Sequence, residues 1–376
     1  MDRIEKYIDY LMENSTPDYP AWNIEKKQLG IKSKWNYIDG CMILAVLEMY
    51  SITKNDKYLQ FADDFVDAKV FDDGTIDGYD TNEMNIDNIN AGKTLFDLYD
   101  LTGKDKYVRA IKLIYSQLEN MPRTAEGNFW HKKIYPNQVW LDGLYMAQPF
   151  YMEYEYRYNN KANCEDIFNQ FRVVKERMRD EKTGLYYHAY DSSREMFWCD
   201  PNTGLCENFW LRALGWFSMA LLDTIALCKD TECDGYTMLK DMFVDLMKSM
   251  KNYQDESGMF FQIVNMGGRE RNYLETSGSA IMSYAFLKGA RLGLLNEEYK
   301  DAGIKAFKGI CQKYLSEENG EIHLDGICLV AGLGGAKMRK GDYDYYMSEP
   351  IVKDDAKGVG PFLLAYTEMR RLQAEI

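Results

Sequence analysis

A duplicated polar junction constrains this chain more than any other feature. Tyr50-Ser-Ile-Thr-Lys-Asn-Asp-Lys-Tyr58 and Tyr99-Asp-Leu-Thr-Gly-Lys-Asp-Lys-Tyr107 match at a spacing of 49 residues. Each follows an apolar stretch of helical period (41–49 and 94–98) and precedes another (59–66 and 108–118). The polar centre offers Asn or Gly where one helix stops and Asp where the next begins. Each junction therefore reads as the bend of a helical hairpin.

Short β-prone segments led by glycine recur between the hairpins: Gly74-Thr-Ile, Gly127-Asn-Phe-Trp-His, Gly184-Leu-Tyr-Tyr-His, Gly258-Met-Phe-Phe-Gln and Gly320-Glu-Ile-His. Their spacings of 53, 57, 74 and 62 residues each suit two helices with connections. Periodicity predicts twelve helices, near 1–14, 36–51, 56–70, 88–101, 105–120, 138–157, 163–180, 207–228, 234–252, 275–292, 296–315 and 356–373. Twelve helices in six hairpins make either an open solenoid or a closed all-α toroid, six inner and six outer. The aromatic content of 14% favours closure, because rings cluster in the inner candidates, as in Trp140, Tyr145, Phe150, Tyr151 and Phe209, Trp210, Trp216, Phe217. No linker or composition break divides the chain, which predicts one domain over residues 1–376.

The net charge of −14 supplies no general field for a nucleic acid or an anionic membrane. Segment 1–14 is amphipathic and charged throughout, unlike a secretory signal, and no run reaches a membrane span, so a cytoplasmic location is expected. The eight cysteines are scattered without a Cys-x-x-Cys pair. A zinc around Cys199/Cys206 or Cys228/Cys233 is the alternative to free thiols, and no metal or cofactor is expected.

Few residues are equipped for chemistry. Of three histidines, His131 and His188 end Gly-led segments at equivalent places, and His323 occupies a similar slot later. Each is either structural or part of a shared pocket. No Gly-x-Ser-x-Gly, phosphate loop or dinucleotide fingerprint is present. The carboxylates remain. Asp142 starts an inner helix among apolar neighbours in Val139-Trp-Leu-Asp-Gly-Leu-Tyr-Met-Ala-Gln-Pro149. It is either an N-cap or a desolvated general acid with a raised pKa. Asp87, at the preceding inner start, offers the same two readings, and as a pair they suit glycoside chemistry. Arg212 and Trp216, four apart on one helix face, suit a carboxylated sugar, or else a surface arginine stacked on a core ring.

These strings resemble the unsaturated rhamnogalacturonyl hydrolases, glycoside hydrolase family 105. The carriers are Asp87-Asn-Ile-Asn-Ala-Gly-Lys93, Trp130-His-Lys-Lys-Ile-Tyr-Pro136, the segment around Asp142, Phe209-Trp-Leu-Arg-Ala-Leu-Gly-Trp216, and Tyr346-Met-Ser-Glu-Pro350 with Lys357-Gly-Val-Gly-Pro361. The resemblance implies an (α/α)6 barrel and a substrate whose terminal uronic acid carries a C4=C5 double bond. An Asp protonates C4, water adds at C5, and the resulting hemiketal opens and expels the neighbouring sugar. It assigns the acid to Asp142 and its partner to Asp87, and sugar contacts to His131, Lys132, Trp140, His188, Arg212 and Trp216. It also places Asp39, Gly40 and Gly332 along the site. Leu214 departs from the family's usual polar Asn. Arg212, with His131 and Lys132, is expected to offset the uronate carboxylate.

The implied partner is a small unsaturated oligosaccharide, handled by a monomer or weak oligomer. An unsaturated glucuronyl hydrolase acting on glycosaminoglycan disaccharides is the neighbouring alternative. A sulfated substrate calls for further cations beside the leaving sugar, and the sequence shows no such cluster unless scattered residues converge. A non-catalytic helical-repeat scaffold is the third reading.

Overall fold

The computed structural model describes residues 3–374, so Met1 and Asp2 of the expected first helix lie outside the described residues. The twelve long helices are α1 (Arg3–Glu13), α2 (Tyr37–Thr53), α3 (Asp56–Asp67), α4 (Lys93–Thr102), α5 (Asp105–Asn120), α6 (Leu141–Tyr158), α7 (Cys164–Met178), α8 (Leu211–Leu227), α9 (Asp234–Lys251), α10 (Thr276–Arg291), α11 (Glu297–Tyr314) and α12 (Ala356–Ala374). Even-numbered helices form the inner ring and odd-numbered helices the outer. Going round, α2 packs on the 3-10 segment Ile86–Gly92 that leads into α4, that segment on α6, then α6 on α8, α8 on α10, α10 on α12 and α12 back on α2. That last contact is the one an open solenoid lacks. The fold is the (α/α)6 barrel, with α1 backing α12 through Glu5 and Arg370.

The two rings follow from their sequences. The outer α5 buries Tyr107, Ala110, Ile111, Ile114, Tyr115 and Leu118, a single helical stripe, and turns Lys112 and Glu119 to solvent. The inner α8 buries all twelve residues from Leu211 to Leu222, because neighbours surround it on every side. Complete burial of each large apolar side chain contributes roughly 1.5–3 kcal/mol.

Within α6, Pro149 removes the amide that would bond the Tyr145 carbonyl. Lys93 supplies the missing donor, its Nζ 3.2 Å from that carbonyl and 3.3 Å from the Tyr145 ring centre. Burial pushes the Lys93 ammonium down to about 7. Lys93 thus repairs a helix break rather than facing the site.

The glycine-led segments follow the outer helices. Gly74, Gly127, Gly184, Gly258 and Gly320 all adopt positive φ, from 70° to 97°, where a Cβ would be strained. Each turns the chain back towards the next inner helix. Three inner helices begin later than periodicity predicts. Residues 86–92 form 3-10 helix, Gln138–Trp140 pairs as a strand with Ala189–Asp191, and α8 starts only at Leu211. Short helices Ile24–Leu29 and Tyr343–Ser348 were not foreseen, since six residues carry too little periodicity.

Candidate active site

The N-termini of the inner helices meet at one end of the ring around a cavity of about 230 Å³. Their positive ends make that opening favourable for an anion. Asp142 and Met146 of α6, with Arg212 and Trp216 of α8, occupy the second and sixth positions of their helices and line it together. Asp87, His131, Lys132 and Trp140 line it too. Seven sequence candidates thus share one cavity.

The two carboxylates are held differently. Neither is an N-cap: Asn85 caps the 3-10 turn and accepts from the Asp87 amide at 3.1 Å, and Trp140 stands at the start of α6 without a side-chain cap. The Asp87 Oδ2 lies 2.6 Å from Lys132 Nζ and its Oδ1 3.5 Å from His131 Nε2. Burial pushes the Asp87 carboxyl up, and the Lys132 ammonium and His131 ring more than offset this, holding it below the usual carboxylate range. Asp142 has neither lysine nor arginine at ion-pair distance among the described residues. Its Oδ2 sits 3.2 Å from His188 Nε2, without the alignment of a full hydrogen bond.

His188 is fully buried behind Asp142 rather than lining the cavity, and its Nδ1 lies 2.7 Å from the Tyr346 hydroxyl. Burial pushes the Tyr346 hydroxyl well above its ordinary value, so it keeps its proton. His131 stacks on Trp140, ring centres 4.5 Å apart. Burial drives its imidazole down to about 4 despite Asp87, so it is neutral near pH 7. Lys132 is committed to Asp87. The cationic trio expected to offset a uronate therefore reduces to Arg212, because the histidine is uncharged and the lysine is paired.

Arg212 is buried, donates to Ser277 Oγ at 3.2 Å and to the Cys328 carbonyl, and lies 4.6 Å from the Trp210 ring centre. No carboxylate pairs with it among the described residues. Trp216 stacks on Tyr145, which sits above Lys93.

Besides His188, the candidates Asp39, Gly40, Gly332 and His323 lie outside the lining. Asp39 is buried under the first turn of α2, where Trp22 Nε1, Ser33 Oγ and Asn36 Nδ2 donate to it at 2.9, 2.7 and 2.7 Å. It is consumed by that network, and with Gly40 it lines a separate narrow crevice beside Phe65 and Lys69. A Cβ on Gly40 would meet the Ala91 backbone at 2.6 Å, so this glycine serves helix packing. Gly332 adjoins the lining residues Val330 and Ala331, and a Cβ there would come within 2.7 Å of Arg339 Nη1. It makes room for that guanidinium. His323 is remote, on the hairpin Glu321–Leu324 and bonded to Asp354 at 2.7 Å.

Sequence reasoning missed Glu25, Tyr37, Tyr135, Met146, Trp210 and Arg339 in the lining, and Tyr346 behind it. Tyr346 and Lys357 lie within the motifs that carry the family resemblance, and Lys357 binds the lining residue Glu25 at 3.0 Å. Arg339 touches Tyr135 from 204 residues away, which nothing local announces. The described residues hold no cluster of three or more His, Cys, Asp or Glu placed to bind a metal. No described helix is long and apolar enough to cross a membrane.

Comparison with known proteins agrees with this architecture. Residues 4–373 match the family model Glycosyl Hydrolase Family 88. A family 105 glycoside hydrolase structure from C. acetobutylicum ATCC 824 superposes with a TM-score of 0.91 at 40% identity, over 98% of this chain and 99% of that one. Protein Atu3128 of Agrobacterium fabrum is 39% identical over 230 residues, 59% of this chain and 97% of its own length. The unsaturated rhamnogalacturonyl hydrolase YesR of Bacillus subtilis is 26% identical over 275 residues, 72% of this chain and 75% of its own. An unsaturated glucuronyl hydrolase from Bacillus sp. GL1 shares the fold at a TM-score of 0.66 and 13% identity, over 92% of this chain and 88% of that one. With one family model matched along nearly the whole chain and a family 105 structure superposing at 40% identity, the chain belongs to the family 88/105 glycoside hydrolases.

Proposed function

We propose that the whole chain is one catalytic domain that hydrates the C4=C5 bond of a terminal unsaturated uronic acid, taking oligosaccharides left by rhamnogalacturonan lyases. The observation that carries this reading is the inequality of the two carboxylates over Arg212. Asp87 is neutralised by Lys132, whereas Asp142 faces the same cavity with neither lysine nor arginine beside it among the described residues.

In this mechanism Arg212 pairs with the uronate carboxylate, and Trp216 and Trp140 flank the ring. The protonated Asp142 gives its proton to C4, leaving positive charge shared between C5 and the ring oxygen. Ionised Asp87 stabilises that charge from within the cavity. Water adds to C5 and returns a proton to Asp142, completing the acid–base cycle. The C5 hemiketal then opens to a ketone, and the released C1 hemiacetal collapses to an aldehyde as the neighbouring sugar leaves. His188, held by Tyr346, is the group that keeps Asp142 oriented while it cycles between its two forms. The YesR resemblance supports the rhamnogalacturonan assignment, and the acidic chain supports a small substrate over a polyanion.

The test is ultraviolet absorbance of the conjugated double bond, followed with an unsaturated galacturonyl-rhamnose disaccharide. Decay with the wild type and none with a folded Asp142→Asn protein is the expected result. An unchanged double bond beside released rhamnose would overturn the hydration mechanism.

A further inference from the structure

The cavity holds more positive charge than one uronate requires. Besides Arg212, Arg339 lines it, with Nε donating to the Gly334 carbonyl at 3.1 Å and Nη2 reaching the Tyr135 hydroxyl at 3.4 Å and the Leu333 carbonyl at 3.5 Å. All of these acceptors are neutral, and no carboxylate pairs with Arg339 among the described residues. Gly332 leaves the space that its Nη1 occupies. The two arginines differ in depth: Arg212 is 2% exposed, whereas Arg339 is half-buried beside the exposed Met338. Arg339 therefore stands at the mouth, on the way out of the cavity.

Two distant stretches of sequence carry further cations next to the lining residues Lys132 and Arg339. Tyr135 joins the segment carrying Lys132 and Lys133 to the loop carrying Lys337, Arg339 and Lys340. That loop is fixed by paired backbone bonds between Gly334 and Arg339 at 2.8 and 3.2 Å. Lys133, Lys337 and Lys340 are exposed and make no ion pair among the described residues. Lys132 is spent on Asp87, which leaves Lys133, Lys337, Arg339 and Lys340, four cations without a carboxylate partner among the described residues, on two touching segments of a chain of net charge −14.

We infer that Arg339 and its neighbouring lysines form a subsite for an anionic group, a carboxylate or a sulfate, on the sugars beyond the unsaturated residue. The inference rests on the proposed hydrolase reading for which end of the ligand lies deepest. The preferred substrate class is then an oligosaccharide charged at two places, with Arg212 taking the terminal uronate and Arg339 the second anion. A fixed guanidinium with a free edge recognises either anion by paired hydrogen bonds.

Three unsaturated substrates separate the possibilities: a disaccharide whose second sugar is neutral, its extension by a further uronate, and a disaccharide whose second sugar is sulfated. Affinity is measured by calorimetry on the Asp142→Asn protein and turnover on the wild type. At least one anionic substrate is expected to bind about tenfold tighter than the neutral one at low salt, with the advantage shrinking at 0.5 M NaCl in the manner of a ~4 Å Debye length. Arg339→Gln, and separately the Lys337→Gln/Lys340→Gln double variant as a fold-neutral check, are expected to reduce that ratio. Whichever anion shows the advantage identifies the source. Equal affinities for all three, or a ratio untouched by Arg339→Gln, would overturn the subsite. Absent turnover on every substrate would instead break the hydrolase reading, and the affinity ratio would still decide the subsite.

Discussion

The two ends of this barrel treat charge in opposite ways. Away from the cavity, the C-terminal halves of the inner helices carry charges that are matched. Arg291 meets Glu368, Arg371 meets Glu48 and Glu368, Lys288 meets Asp223, and Arg157 meets Asp100 and Glu153. At the N-terminal end Asp87 pairs with Lys132 and Glu25 with Lys357, but Arg212 and Arg339 bond only to neutral acceptors, and Asp142 has neither lysine nor arginine beside it among the described residues. Desolvating an unpaired charge is expensive, so a fold that retains such charges at one end only has reserved them for something outside the chain. On the proposed function, the matched end closes the ring, and the end holding the unpaired arginines is the one that binds and reacts.

Substitutions at the two ends sharpen that contrast. The largest effect belongs to Asp142→Asn, for which turnover is expected to fall about 10³-fold or more, roughly 4 kcal/mol, with the melting temperature near that of the wild type. A fall of less than tenfold would remove Asp142 from the chemistry.

The next effect comes from acid. Because the His131 imidazole sits at about 4 in the folded chain against 6.5 when unfolded, the folded state binds fewer protons between those values. The stability this confers is complete above about pH 6.5 and is lost as the pH falls towards 4, by at most about 3 kcal/mol. Urea unfolding across that window should show the loss in the wild type and a flatter profile in His131→Gln.

At the closed end, Glu368→Gln leaves Arg291 and Arg371 without their shared carboxylate, which is 2% exposed. Stability is expected to drop by about 2 kcal/mol with kcat unchanged. Its counterpart at the open end, Arg212→Gln, should do the reverse, raising KM strongly with little loss of stability. If both variants behaved alike, the division of labour between the ends would be wrong.

The smallest effect is expected at Tyr346. Removing its hydroxyl in Tyr346→Phe leaves His188 Nδ1 without a partner, and kcat should fall about tenfold with KM nearly constant and the acidic limb of the pH–rate profile displaced. A change in thermal stability alone, with an unmoved pH profile, would make Tyr346 a packing residue.

These contrasts also explain what the sequence could disclose. The helices were legible because an outer helix such as α5 carries one apolar stripe and an inner helix such as α8 is apolar all round, and both patterns are local. Asp142, Arg212 and Trp216 were legible because helical spacing puts the latter two on one face and because a charged residue amid apolar neighbours stands out. Asp39 entered only through the family resemblance, and local sequence could not show that Trp22, Ser33 and Asn36, from earlier in the chain, donate to both of its carboxylate oxygens. Arg339 and Tyr346 were opaque because their meaning lies in partners, Tyr135 and His188, that only the closed ring brings near. Periodicity reveals which face is buried, but not which distant side chain has already claimed a charge.

The most direct measurement is turnover of the unsaturated disaccharide in deuterium oxide, quenched early and read by NMR at C4. The account predicts one deuteron delivered to a single face of C4, concurrent with loss of the double bond, and none of it in Asp142→Asn. A released sugar with the double bond intact and C4 free of deuterium would contradict it, and would move the chemistry to the anomeric carbon.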